Sequence, residues 1–281
     1  MLLALLAGVA FAGPVDRALE AAAAKGKVVV ERRDGAIGKV PMGAAILRSG
    51  TGSSWEMNVY AGLADPAIMV YTLPAFGETL AFDPIVSKRF PFPDIFKDGV
   101  PSLAVHAKNK SSGQSTLTIM RYQKPGFKKL AAVPNGQLRD LDRDGVPELV
   151  SESLPLGRFF TASCEGFQTM AQAARKREIY RFEGGKLRPD SASFPDYFQD
   201  ALELDSDRLE RMKPTKDESP GPFLSQALTV YFDYAALGRG REGWRRFTQE
   251  IRPDRNLPGI DSCLRQITGD LRAKLSIPDD W

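Results

Sequence analysis

Apolar positions along this chain fall into three regimes. Residues 2–11, LLALLAGVAF, form one unbroken apolar run. From residue 27 to residue 189 apolar and aromatic residues come in short bursts separated by Gly, Pro, Asp and Asn, the pattern of strands and turns. The bursts TLTIMRYQKPGFKKL (116–130) and REIYRFEGGKLRP (177–189) each read as an apolar-aromatic strand, a glycine turn and a short return, which predicts a β-hairpin. IMVYTLPAFGETLAF (68–82) has the same outline and predicts a third. After residue 194 the period becomes helical. Residues 196–212 lack Gly and Pro, and the stretch 213–222, KPTKDESPGP, reads as a linker with three prolines. Leu224, Leu228, Tyr231, Phe232 and Ala235 then share one helical face, and Gly238 and Gly240 end it. Trp244, Phe247 and Ile251 mark a further helix. Leu264, Ile267, Leu271 and Leu275 mark the last one, with Asp261 as its expected N-cap.

At 281 residues and 43% apolar composition the chain can bury a sizeable core. Its net charge of +3, from 38 basic and 35 acidic residues, gives no global attraction to nucleic acid or an anionic membrane. The run at 2–11 is shorter than the ~20 residues a bilayer span requires. Ala10 and Ala12 lie three and one positions before Gly13, an A-x-A pattern that predicts a cleaved signal peptide over residues 1–12 and a secreted or periplasmic protein. No Lys or Arg precedes the run, so a buried N-terminal helix or a misassigned start codon is the competing reading. Cys164 and Cys263 are the two cysteines. In an oxidising compartment they could pair, worth about 4 kcal/mol by loop closure. Two buried thiols are the alternative.

The densest candidate chemistry is GQLRDLDRDGVPELVS, residues 136–151. Asp140, Asp142, Asp144 and Glu148 occupy positions one, three, five and nine of a loop, with Gly145 at position six and the Val146 carbonyl at position seven. A hard cation such as Ca²⁺ takes six to eight oxygens, which such a loop can wrap around it. Without a cation the carboxylates repel one another. An EF-hand would need Glu at position twelve, where Ser151 stands, and the residues after the glycine suit a strand rather than a helix.

DLDRDGVPELV resembles the calcium loop of FG-GAP and VCBS repeats, the blades of integrin-type β-propellers. The resemblance implies Asp140, Asp142, Asp144 and Glu148 as side-chain ligands and Val146 as a carbonyl ligand, with Glu where Asp is commoner at position nine. An upstream stretch, DIFKDGVPSL (94–103), aligns with DLDRDGVPEL (140–149) at an offset of 46 residues. It has Phe96 and Ser102 in place of two acids, so it keeps the turn and loses the metal. A closed propeller needs at least four blades, and residues 27–190 are too few for more than three or four four-stranded sheets. An open or partial array, or divergent blades hidden before residue 54, would account for this. Arg121 to Arg181 spans 60 residues where the loop offset is 46, so the second unit carries an insertion around residues 156–178.

Catalytic sets are scarce. The single histidine, His106, sits in the strand-like SLAVHAK, and neither cysteine has a neighbour at zinc-ligand spacing. SGTGSSW (49–55) reads as a Gly/Ser turn between strands. The helical hairpin 231–247 resembles a single tetratricopeptide unit, too few for a peptide-binding array. Arg239, Arg241, Arg245 and Arg246 read as a solvated helix face. The fold expected is α+β: a β-rich repeat region over 27–190 resembling propeller blades, then a small helical region over 194–281. The function expected is a calcium-stabilised binding or scaffold module for an extracytoplasmic protein or glycan, with no nucleic-acid partner and no stable transmembrane anchor. The competing expectation is a secreted hydrolase whose calcium loop is structural.

Overall fold

The computed structural model describes residues 13–52, 54–157, 173–212, 221–250 and 260–281. Within them lie three four-stranded antiparallel sheets and five α-helices, a β-rich α+β fold. The chain divides into two compact units, Met1–Gly136 and Gln137–Trp281.

The first unit holds α1 (Pro14–Ala24) and two sheets. The first sheet runs β1 (Lys27–Ile37), β2 (Val40–Ser49), β3 (Ser54–Ala61) and β4 (Ile68–Phe76) in chain order. The second runs β5 (Glu78–Phe82), β6 (Ser102–Asn109), β7 (Ser115–Gln123) and β8 (Gly126–Pro134). Successive strand residues point to opposite faces. Ala45 and Leu47 of β2 and Tyr60 of β3 meet Val15, Ala18 and Leu19 of α1 in one apolar cluster, while Met42, Ala44, Ile46, Met57 and Val59 are buried on the other face. α1 approaches β2 closely because position 43 is glycine: a Cβ there would lie 2.4 Å from Val15 Cγ1. The helix starts where Gly13 N–H donates to Asp16 Oδ2 at 2.8 Å and Pro14 fills the first turn. β1 forms one edge of its sheet, with Val28, Val29 and Val30 exposed and a register shift between Val29 and Glu31.

The second unit holds the third sheet, β9 (Gln137–Arg139), β10 (Glu148–Ser153), β11 (Lys176–Glu183) and β12 (Lys186–Pro189), with α2 (Pro195–Arg211), α3 (Gly221–Ala236), α4 (Gly240–Arg245) and α5 (Ile260–Leu275). Val150 and Ile179 of the sheet pack on Phe194 and Phe198 at the start of α2. Phe223, Leu228, Tyr231, Trp244 and Leu271 centre a larger helical core.

The hairpins expected at 116–130 and 177–189 are β7–β8 and β11–β12. The third is corrected: β4 ends the first sheet and β5 begins the second, with Gly77 (φ 71°) between them. Each strand already has its partner, β4 with β3 and β5 with β6, so the glycine turn carries the chain from one sheet to the next. Residues 27–76 form the first sheet, so the stretch before residue 54 supplies two of its strands. The helix after the linker begins at Gly221 and takes in Pro222. Asp261 lies inside α5 and does not cap it. Residues 1–12, where a signal peptide is expected, most of the insertion, Cys164, the bulk of the linker and Ile251 lie outside the described residues. Among the described residues no helix is long and apolar enough to cross a membrane.

Candidate metal centre

The acidic loop joins β9 to β10. Arg143 (φ 63°) and Gly145 (φ 81°) take left-handed backbone conformations, and this folds the loop back on itself. Carboxylate oxygens of Asp140, Asp142 and Glu148 lie within 4.8 Å of one another. Ligand oxygens around Ca²⁺ stand at about 2.3–2.6 Å from the ion, so two on opposite sides are separated by roughly twice that distance. The three oxygens therefore fit one hard cation, and equally another oxygen-seeking divalent ion.

Each carboxylate is also tied to the backbone. Gly145 N–H donates to Asp140 Oδ2 at 3.0 Å, and Asp144 N–H to Asp142 Oδ1 at 3.2 Å. Leu141 N–H donates to Glu148 Oε2 at 2.8 Å. Glu148 is buried at 2% exposure, and desolvation raises its pKa; the Leu141 N–H and Arg181 pull the other way, and Asp142 adds to the rise. Asp144 is not among the three clustered carboxylates; its Oδ1 accepts the Val146 N–H at 2.6 Å.

The upstream loop has the same skeleton. At the offset of 46, Lys97 (φ 53°) and Gly99 (φ 83°) repeat the conformations of Arg143 and Gly145. Gly99 N–H donates to Asp94 Oδ2 at 2.7 Å and Val100 N–H to Asp98 Oδ1 at 3.3 Å, the counterparts of the Asp140 and Asp144 bonds. Phe96, where Asp142 would stand, is buried at 4% exposure. An apolar side chain has gone inward at a position that elsewhere offers a ligand.

Two arginines escaped the sequence reading. Arg181 Nη2 donates to Asp142 Oδ2 at 2.9 Å, and its Nε lies 3.9 Å from Glu148 Oε1 and 3.4 Å from Asp190 Oδ2. Its guanidinium carbon stands 5.1 Å from the centre of the Phe194 ring. In the upstream loop Arg121 pairs with Asp98. Arg121 is the β7 partner of Ser102, and Arg181 follows Tyr180, the β11 partner of Leu149, which puts it beside Glu148. The available signal was an arginine next to a tyrosine near the end of each hairpin's first strand, MRYQ and YRFE.

Two other polar groups stand apart. His106 Nε2 and Asp83 Oδ2 are 2.7 Å apart in the second sheet's unit. The buried carboxylates Asp205 and Asp233, each 1% exposed, both pair with Arg177, which closes them against substrate rather than opening them to a cleft. No family model matches the chain, and neither the curated proteins nor the solved structures hold a match to it.

Proposed function

We propose that this chain is an exported, calcium-stabilised repeat protein acting as a binding or scaffold module, with an extracytoplasmic protein or glycan as its partner. Its three sheets are read as modules of an open or partial array of the FG-GAP/VCBS kind. One observation carries the proposal: three carboxylates converge within 4.8 Å on a glycine-turned loop whose backbone recurs, without the full acid set, 46 residues upstream. Repetition of a loop with and without its ligands is what a repeat family produces. Extracellular calcium modules bind at about 10⁻⁴ to 10⁻³ M, close to the calcium level outside cells and far above the cytosolic one. The disulfide state of Cys263 supports the same oxidising setting.

The test is thermal unfolding of the protein in excess calcium and in chelator. At about 100 times the dissociation constant, mass action adds about 2.7 kcal/mol, a rise in midpoint of several degrees. An unchanged midpoint overturns the calcium reading.

A further inference from the structure

We infer that Arg181 is the resident counter-cation of the acidic loop, and that a divalent ion binds there by exchange with it. The inference rests on the reading of the loop as a cation site and adds how that site is regulated. The guanidinium reaches in from β11, outside the loop, to Asp142 at 2.9 Å and stands 3.9 Å from Glu148. A divalent ion drawn to the same oxygens would meet this fixed positive charge at short range, and like charges at that range oppose each other. Arg181 has somewhere to go: Asp190 Oδ2 is already 3.4 Å from its Nε, and the Phe194 ring offers its face at 5.1 Å.

The upstream loop shows the arrangement with the exchange closed off. There Arg121, from the matching place on β7, pairs with Asp98, the counterpart of Asp144, because Phe96 stands where Asp142 would and Ser102 where Glu148 would. Its side chain is 15% exposed, against 34% for Arg181. One arginine is the more enclosed, over a loop that keeps two acids, and the other is the more exposed, over a loop that has four. Exchange also makes the coupling reciprocal: whatever factor Arg181 takes from the ion's affinity, the ion takes from the Arg181–Asp142 pair.

The experiment is calorimetric titration of Ca²⁺ into the full chain carrying Arg181, Arg181→Lys or Arg181→Gln, with melting curves in chelator and the ¹⁵Nε resonance of Arg181 followed in the unsubstituted protein. The expected result is binding about 5- to 10-fold tighter in Arg181→Gln, an intermediate gain or none in Arg181→Lys, a lower melting midpoint for Arg181→Gln in chelator, and a calcium-dependent shift of the Arg181 Nε signal. Equal affinity in all three chains, with a static Nε signal, overturns the exchange while leaving the calcium site standing. Weaker binding in Arg181→Gln also overturns it, by making Arg181 a group that holds Asp142 in place for the ion. Binding by Arg181→Gln alone supports the exchange and removes calcium from the function of the unsubstituted chain, whereas binding by none of the three ends both readings. Should Arg181→Gln fail to fold, the Nε shift and Arg181→Lys decide.

Discussion

Arg177 Nη1 donates to both carboxylate oxygens of Asp233, at 2.9 and 3.1 Å, across from β11 to α3. Its Nη2 lies 2.6 Å from Asp205 Oδ2 on α2, and Gln226 donates to Asp205 Oδ1 at 2.8 Å. One guanidinium thus serves two buried carboxylates. Arg175, 3.4 Å from Asp205, and Glu152, 3.8 Å from both arginines, extend the group with one more charge of each sign. Two positive and three negative groups leave one negative charge in excess.

Burial of that excess falls on Asp233 and favours its protonated form. Burial, opposed by Arg177 and reinforced by Asp205, pushes its pKa up to about 7, whereas hydrogen bonding and the arginines hold Asp205 below its ordinary range against its own burial. A folded pKa above the unfolded one means that the folded chain keeps a proton the unfolded chain has released. The resulting stability is complete below about pH 4, falls as pH rises toward 7, and is level above it. Asp205 has the opposite sign and acts only at more acid pH. Urea midpoints at pH 5 and pH 8 should differ in the unsubstituted protein, lower at pH 8, and that difference should largely vanish in Asp233→Asn.

Calcium stabilisation should depend on one loop and not the other. Asp142→Ala removes one of the three converging carboxylates and should abolish most of the calcium-dependent rise in melting midpoint. Asp98→Ala, in the loop whose acids number two, should leave that rise nearly intact. Differential scanning calorimetry of both variants with calcium and with chelator checks this, and equal loss in both would contradict the division into a working and a vestigial loop.

Gly243 marks a tight crossing in the helical core. A Cβ there would lie 2.5 Å from Tyr234 Cβ, an atom next to the backbone that cannot swing aside. Gly243→Ala should destabilise the chain by about 1–3 kcal/mol through overpacking, read as a lower urea midpoint at unchanged slope.

Cys263 is disulfide-bonded, and the described residues contain no free thiol. Since Cys164 is the chain's other cysteine, unfolding without reductant should expose no reactive sulfur to a thiol label, and reduction should expose two.

The acidic loop was legible because its ligands are local: alternation over nine residues and one glycine define a turn that hydrogen bonds within the same stretch complete. The hairpins at β7–β8 and β11–β12 were legible for the same reason. What the sequence hid depends on distant partners. Arg181 meets Asp142 from 39 residues away, and nothing local to either residue announces the pairing. Gly77 has the positive φ of a hairpin glycine, yet the neighbours that claim β4 and β5 lie elsewhere in the chain, so the local signal was right about the turn and wrong about what it joined. α1 went unread because its alanine-rich stretch follows an apolar run that already had an interpretation, and its amphipathic face becomes visible only against Ala45, Leu47 and Tyr60.

The edge strand β1 sets how this protein tolerates its own concentration. Three exposed valines in a row on an unpaired strand edge are a template on which a second chain could add a strand and begin to aggregate. The register shift after Val29 bends the edge at that point, and Glu31, Arg32, Arg33 and Asp34 follow at once with alternating blocks of charge. These are gatekeepers of the kind that interrupt growth without disturbing the strand's native pairing to β2. Three of these four side chains are also bound into the fold, Glu31 by the Phe82 N–H, Arg32 by Asp16 and Arg33 by the Val86 carbonyl, so the charges that guard the edge are held in place by the structure they guard.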